Sequence, residues 1–397
     1  MHSLRSFGLS LVRFGGVSVV VLLTLSACAG SAPLGPVSSA TPPLSPELRD
    51  QRNRIDVNYR LNGPATVSAR ILAADGQQWL IHDGVPRPRP GDYVFQFDGT
   101  VPGPGKNERR VLPSGEYRVQ LEAASTGQTQ HAEVPLSIRD ADTSAPDVTD
   151  LALLPDHISP NFDARDDVTH ITYRLAKNAR VSAFLDRETS PGQFARVWMG
   201  EEIKLQAGEQ SIVWDGLNSG VPVRTGGYLL GVRARDAAGN VVERSSALVV
   251  EESGLPEASI VLTRIGPLRI IRGEQVCVDA SIRNTGQTVL RTLGPDPGYT
   301  YNSLDTYASI EDHRFAEHAG YWRLGLSWSG GTEVSSATYP YRWGFGRDLE
   351  PGGEVSVHGC VRVVNEQDKL VFFAGLVQEN IAIHSAGAGL VRIEISS

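Results

Sequence analysis

The feature that most constrains the fold of this chain is an alternation of apolar and polar residues that recurs in two similar blocks. Residues 55–61 (IDVNYRL) alternate with a period of two, which is typical of a strand with one buried face. VNYRL at 57–61 recurs as ITYRL at 171–175, and ATVSA at 65–69 recurs as ARVSA at 179–183. Because both pairs are separated by 114 residues, the two blocks are copies of one unit.

Turn signals separate the alternating segments of both blocks. Asp-Gly pairs stand at 75–76, 98–99 and 215–216, and Gly-Asn follows at 239–240. No segment of helical length keeps an apolar stripe. Short strands with turns every 8–12 residues predict an Ig-like β-sandwich. We therefore expect one sandwich over residues 48–143 and a second over 144–254.

The second block contains further motifs that point to a family. They are ISPNFD at 158–163, VWDG at 213–216, TGGY at 225–228 and DAAGN at 236–240. This series resembles the FlgD-type Ig-like domain, which takes its name from the flagellar hook-capping protein. The first block resembles a divergent copy, with Phe97 at the position of Trp214. The resemblance implies β-sandwich modules of secreted or surface proteins without catalytic residues.

The N-terminus has the features of an export signal. Arg5 and Arg13 precede an apolar stretch over 14–25, which is shorter than the ~20 residues of a spanning helix. The residues LSAC that end at Cys28 resemble a bacterial lipobox. The resemblance implies a lipoprotein signal peptide over 1–27 and a lipid on Cys28. An ordinary signal peptide followed by a chance cysteine is the alternative.

The segment after the predicted lipidation site is rich in Pro, Ser and Ala. Residues 28–47 contain few large apolar side chains, so we expect a disordered tether between a membrane and the first sandwich. The protein would then be exported and anchored, facing the periplasm or the cell surface.

The C-terminal third, residues 255–397, continues the β pattern. Residues 275–282 alternate and are followed by Asn-Thr-Gly at 284–286, and residues 354–364 alternate again. These features resemble Ig-like modules of bacterial envelope proteins. We expect a third sandwich, and the fold class is all-β with three Ig-like domains in tandem.

Two cysteines lie in predicted strands of this third domain. Once Cys28 is acylated, Cys277 and Cys360 are the remaining thiols, and an oxidising compartment favours a disulfide between them. The alternative is two separate buried thiols, which behave as small apolar side chains.

Two groups of residues are candidate binding sites. Asn161, Asp163, Asp166 and Asp167 crowd one loop, where their oxygens could hold Ca²⁺ or could cap turns. The second group is aromatic and could stack on sugar rings or fill the core of the third sandwich. Its members are Tyr299, Tyr301, Trp322, Trp328 and Trp343.

Composition and motifs exclude several function classes. A net charge of −8 disfavours a nucleic-acid partner, and three cysteines exclude a Cys-rich metal fold. No nucleophile elbow, phosphate-binding loop or metalloprotease motif occurs, so we expect no enzyme and no cofactor.

The predicted function is a non-catalytic, lipid-anchored scaffold, adhesive or spacer with an envelope protein or glycan as partner. The alternatives are a glycan- or peptide-binding lipoprotein that uses the aromatic residues, and an accessory subunit of a secreted enzyme complex.

Overall fold

The computed structural model describes residues 32–39, 43–46, 53–316, 318–329, 339–364 and 369–396. Within these ranges the chain forms strands and turns, with a 3-10 turn at Glu311–His313 and no α-helix. No helix in this part of the chain could span a membrane. Cys28 and the predicted signal peptide lie outside the described residues. The prediction of an all-β chain of Ig-like sandwiches is confirmed.

The first sandwich packs a three-stranded sheet on a four-stranded sheet. Its strands are β1 (Leu34–Ser39), β2 (Ile55–Leu61), β3 (Ala65–Ala73), β4 (Gln78–Arg87), β5 (Gly91–Phe97), β6 (Thr100–Pro102), β7 (Arg109–Val111), β8 (Gly115–Ser125) and β9 (Gln128–Ile138). The sheets have the orders β1-β2-β5 and β4-β3-β8-β9. The alternating apolar residues of β2, including Val57 and Tyr59, are buried between the sheets.

The second sandwich repeats this arrangement. Its strands are β10 (Val148–Leu154), β11 (His157–Ile158), β12 (Thr169–Leu175), β13 (Ala179–Ser190), β14 (Gln193–Met199), β15 (Ile203–Leu205), β16 (Gly208–Trp214), β17 (Leu217–Asn218), β18 (Val221–Pro222), β19 (Gly226–Arg235) and β20 (Val241–Val250). One sheet has the order β10-β12-β16, and the other contains β14-β13-β19-β20. Strand for strand, these orders match those of the first sandwich.

The predicted tether is wrong for part of its length. Residues 34–39 form β1, which pairs with β2 as β10 pairs with β12. Leu34 is buried in the first core, and Leu44 is buried where it bridges Ile138 of β9. The low apolar content of this segment hid the strand, because β1 is held mainly by backbone hydrogen bonds to β2. Leu34 lies 114 residues before Val148, the first residue of β10. The repeat spacing therefore contained a signal for a strand at this position.

The third sandwich is built from the remaining strands. They are β21 (Ala258–Gly266), β22 (Arg269–Ile271), β23 (Gln275–Asn284), β24 (Thr300–Asn302), β25 (Trp322–Ser329), β26 (Tyr341–Trp343), β27 (Glu354–Arg362), β28 (Lys369–Gln378) and β29 (Ala382–Ser396). The sheets have the orders β21-β23-β27-β24 and β22-β29-β28-β25-β26. In β23 the residues from Val276 to Ile282 alternate between the core and the outer face.

Candidate functional site

The first and second sandwiches share a sheet. The hairpin of β6 and β7 leaves the first sandwich and pairs with β20, with Arg109 opposite Val241. The sheet of the second sandwich therefore continues as β14-β13-β19-β20-β7-β6. Across the same seam, Arg244 Nη1 lies 2.6 Å from Glu108 Oε1, a carboxylate that is almost fully buried. The two sandwiches therefore meet directly, through strand pairing and a partly buried ion pair.

Asn240 is the polar centre of this junction. Its side chain is fully buried, and its Oδ1 accepts a hydrogen bond from the backbone N–H of Val111 at 2.9 Å. Its Nδ2 donates to the backbone oxygen of Asp142 and to Oδ2 of Asp236, both at 2.9 Å. The Gly-Asn turn that closes the second repeat thus also holds the first sandwich.

A lysine completes the network. Lys177 forms ion pairs with Asp142 and Asp236, the latter at 3.0 Å. Burial alone would lower the pKa of Lys177, but the hydrogen bonds to the two carboxylates outweigh it and raise that pKa. The hydrogen bond from Lys177 lowers the pKa of Asp142. The charges hold the segment between the sandwiches against the second one.

The second and third sandwiches also touch directly. Gln378 Nε2 donates to the backbone oxygen of Phe162 at 2.6 Å. Arg165 donates to the hydroxyl of Tyr321 at 2.8 Å, and its guanidinium lies over that ring. Gly320 approaches so closely that a Cβ would lie 1.9 Å from the backbone oxygen of Asp163, and its φ is +84°. Only glycine fits this position without a shift of the junction.

The acidic loop considered as a Ca²⁺ site belongs to this second junction. The carboxylate of Asp167 accepts hydrogen bonds from the backbone N–H groups of Asn161, Phe162 and Ala164. Burial raises the pKa of Asp167 in spite of these bonds. Asn161 Oδ1 accepts from the N–H of Asp163. Turn capping, the alternative stated above, therefore accounts for these side chains.

Asp163 and Asp166 do not join Asp167 in a group of ligands. Among the described residues, the one set of three His, Cys, Asp or Glu ligand atoms close enough to share an ion is Cys277, His358 and Cys360. The capping hydrogen bonds account for Asn161 and Asp167 without an ion, and the Ca²⁺ site of the loop stays a prediction.

The aromatic platform is wrong for three of its five residues. Tyr301, Trp322 and Trp343 are fully buried in the third core, where the Tyr301 and Trp343 ring centroids lie 5.3 Å apart. Tyr299 and Trp328 are partly buried and pack on the same core. The alternation showed that neighbours two apart share a face, and this face points inward because a sandwich of this size needs large side chains to fill it.

The predicted disulfide is confirmed. Cys277 and Cys360 are bonded across 83 residues, and they lie directly opposite each other in β23 and β27. Cys277 is half-buried, whereas Cys360 is only 5% exposed. Because the two sulfurs are bonded to each other, they offer no thiolate pair to a metal ion.

A histidine and an aspartate that sequence reasoning missed stand beside this bond. His358 Nε2 lies 3.3 Å from Cys360 Sγ, and His358 Nδ1 lies 2.7 Å from Asp279 Oδ1. Asp279 pairs directly with His358 in the same register. The sequence contained a signal for this pair. Once Cys277 and Cys360 face each other in antiparallel strands, Cys-x-Asp at 277–279 and His-x-Cys at 358–360 place Asp279 opposite His358.

A second missed cluster is a buried charge group in the third sandwich. Arg323 and Arg342 both form ion pairs with Glu379, and the Arg323 side chain is fully buried. Burial lowers the pKa of Arg323, while the nearby Glu379 carboxylate opposes that shift. The Arg323 Nη1 and Glu379 Oε1 atoms are 3.2 Å apart but lack the angles of a hydrogen bond. Only long-range pairing of β25, β26 and β28 brings these groups together.

Comparisons with known proteins show weak structural similarity only. No family model and no curated protein matches the sequence. Salmonella alpha-2-macroglobulin reacted with methylamine is 12% identical over 92% of this chain and 23% of its own, with a TM-score of 0.24. The chain thus spans about a quarter of the length of such proteins.

Two further solved structures are similar in the same way. A tetra-tandem repeat from the extending region of a large adhesion protein is 13% identical, over 88% of this chain and 71% of its own, with a TM-score of 0.18. Two fibronectin type-III domains of chicken tenascin are 10% identical over 54% of this chain and 98% of theirs, with a TM-score of 0.16. Similarities at this level assign no function to the chain.

Proposed function

We propose that this protein is a lipid-anchored, extracytoplasmic scaffold that holds three Ig-like sandwiches in a fixed arrangement. In this proposal the second sandwich is a FlgD-type Ig-like domain and the first is a divergent copy. The anchor is a lipid on Cys28, and the role is non-catalytic: the chain presents its surfaces to an envelope protein or glycan at a set distance from a membrane.

The observation that carries the proposal is the pairing of β7 with β20. A flexible string of domains would be joined by exposed linkers, whereas here a strand of one sandwich extends the sheet of the next. Buried Asn240 accepts a hydrogen bond from the N–H of Val111 across the same seam and donates one to the backbone oxygen of Asp142 in the connecting segment. The contacts of Gln378 and Arg165 give the second junction a comparable direct interface.

The position of β1 bears on the distance to the membrane. Leu34 is the first residue of β1, so only five residues separate it from the proposed anchor at Cys28. At about 3.5 Å per extended residue, Leu34 lies within roughly 20 Å of the lipid-bearing residue. The first sandwich would therefore stand close to the membrane surface.

Lipidation is tested by mass spectrometry of the N-terminal peptide and by fractionation. We expect an acylated Cys28 as the first residue of a membrane-bound protein. Cys28→Ala should release the protein from the membrane or leave it unprocessed. Recovery of an unmodified Cys28 in membrane-bound protein would contradict the anchor and leave the scaffold role to be judged separately.

The scaffold role is tested by pulsed electron paramagnetic resonance, which measures the distance between spin labels on exposed positions of different sandwiches. Labels at Asn58 and Val213 report on the first junction, and a pair at Val197 and Val213 within the second sandwich is the control. We expect the first pair to give one distance distribution about as narrow as that of the control. A broad distribution for the first pair alone would contradict a fixed arrangement.

A further inference from the structure

We propose that the outer face of β23 and β27 is a thiol–disulfide exchange site, at which a low-molecular-weight thiol opens the Cys277–Cys360 bond beside His358. The site lies in the third sandwich and does not depend on the anchor at Cys28. It adds a chemical activity to a chain whose proposed role is otherwise architectural.

The register of the two strands builds the site. Cys277 faces Cys360, and two residues further along Asp279 faces His358. Because side chains two apart in a strand share a face, all four groups stand on one surface of the sheet. The intervening residues Val276 and Val278 point to the core, so this surface is the outer one.

The four side chains differ in solvent exposure, and this difference predicts which of the two sulfurs is attacked. His358 and Asp279 are well exposed, with 48% and 65% of their side chains accessible. Cys277 is half-buried and Cys360 is buried. An incoming thiolate therefore reaches Cys277 Sγ more easily than Cys360 Sγ. The leaving sulfur is then that of Cys360, the one that His358 touches.

His358 is placed to stabilise that leaving group. Its Nδ1 is 2.7 Å from the Asp279 carboxylate, which favours a proton on Nδ1 and orients Nε2 toward Cys360 Sγ at 3.3 Å. When His358 is protonated, Nε2–H donates to the sulfur. An imidazolium beside a sulfur favours the thiolate, and a better leaving thiolate departs faster.

The exchange balances in two steps. The thiolate RS⁻ bonds to Cys277 Sγ while the Cys277–Cys360 bond breaks, and the electron pair leaves on Cys360 Sγ, which takes the proton of His358 Nε2. A second RS⁻ then bonds to the RS sulfur of the mixed disulfide, which releases RSSR and Cys277 thiolate. The protein disulfide is reduced by two electrons and two thiols are oxidised to RSSR.

Reduction of the full-length protein by glutathione tests the role of His358. The rate of thiol appearance is compared between wild type, His358→Asn and His157→Asn. His157 is a matched control, because it is exposed and its Nδ1 lies 2.8 Å from Asp156 Oδ1 far along the chain from the disulfide. We expect His358→Asn to slow reduction about tenfold and His157→Asn to leave the rate unchanged. Equal rates for wild type and His358→Asn would overturn the proposal.

The direction of attack gives a second, independent test. Partial reduction with glutathione is stopped with iodoacetamide, and the modified cysteines are located by mass spectrometry. We expect glutathione on Cys277 and the acetamide group on Cys360. Glutathione mainly on Cys360 would overturn the assignment of His358 to the leaving sulfur. Because neither cysteine is substituted, the experiment does not depend on a variant that folds without the bond.

Discussion

The side chain of Asn240, in the turn before β20, accepts a hydrogen bond from the backbone N–H of Val111 in β7 at 2.9 Å, across 129 residues of chain. Both residues are buried. A single amide therefore closes a turn in the second sandwich and fixes a strand of the first.

Removal of this amide should weaken the first junction. We expect Asn240→Ala to lower the free energy of unfolding by about 3 kcal/mol, because the N–H of Val111 loses its partner in a buried place. Urea unfolding followed by tryptophan fluorescence measures the change. Asn58→Ala, on an exposed strand position, should change it by less than about 0.5 kcal/mol. Equal effects of the two substitutions would contradict the role given to Asn240.

The ion pairs of Lys177 predict an acid-sensitive junction. Because the pKa of Asp142 is lowered in the folded state, its stabilisation is present above its ordinary pKa of about 4 and is lost as pH falls through the folded-state value. The raised pKa of Lys177 gives a stabilisation that is fully present below its ordinary pKa of about 10.5 and is lost as pH rises through the higher folded-state value.

Asp142→Asn isolates the acid effect. We expect this variant to be less stable than wild type by about 1–2 kcal/mol at pH 7, with the difference shrinking below about pH 4. Thermal unfolding midpoints between pH 3 and pH 8 measure it. A difference that stays constant through this range would show that the charge of Asp142 is not the cause.

The core of the third sandwich predicts a strict need for glycine at residue 359. A Cβ there would lie 2.1 Å from Cε2 of Trp343, a fully buried ring. We expect Gly359→Ala to destabilise the protein by about 2–3 kcal/mol, because the indole must move within a packed core. Gly227→Ala is the control, since nothing lies within 4 Å of a Cβ at that strand position. Near-neutral behaviour of both variants would contradict the packing described for Trp343.

Loss of the disulfide should destabilise the third sandwich selectively. The bond closes a loop of 83 residues, for which loop entropy predicts about 4–5 kcal/mol. We expect Cys277→Ser together with Cys360→Ser to increase amide hydrogen exchange in β23 and β27. Exchange in β2 and β12, in the other two sandwiches, should be unchanged. A uniform increase across all three would contradict separate cores.

The stability of the third sandwich should depend on the negative charge of buried Glu379. We expect Glu379→Gln to cost about 3–5 kcal/mol, because the guanidinium groups of Arg323 and Arg342 lose their counter-ion in a buried place. Glu350→Gln, at an exposed turn of the same sandwich, is the control. Thermal unfolding monitored by near-ultraviolet circular dichroism compares the two. A cost for Glu379→Gln no larger than for Glu350→Gln would contradict the pairing.

The sequence by itself determined most strands of the two repeats and which strands of one repeat correspond to those of the other. A period of two requires a strand, and a constant spacing of 114 residues requires two copies of one unit, so β2 and β3 correspond to β12 and β13. The pairing of Cys277 with Cys360 was predicted from the cysteine count and an expected oxidising compartment, with two separate thiols as the alternative. These properties are local, or they depend on residue identity alone.

Only the tertiary structure decided which faces are inside and which strands meet. Alternation shows that Tyr299 and Tyr301 share a face, but not that the face is buried, because that depends on the opposite sheet. Likewise β1 is held as a strand by its pairing with β2, and Asn240 joins two sandwiches because β7 lies beside β20. Contacts between residues more than a hundred positions apart are set by the packing of whole sheets, and no local pattern records them.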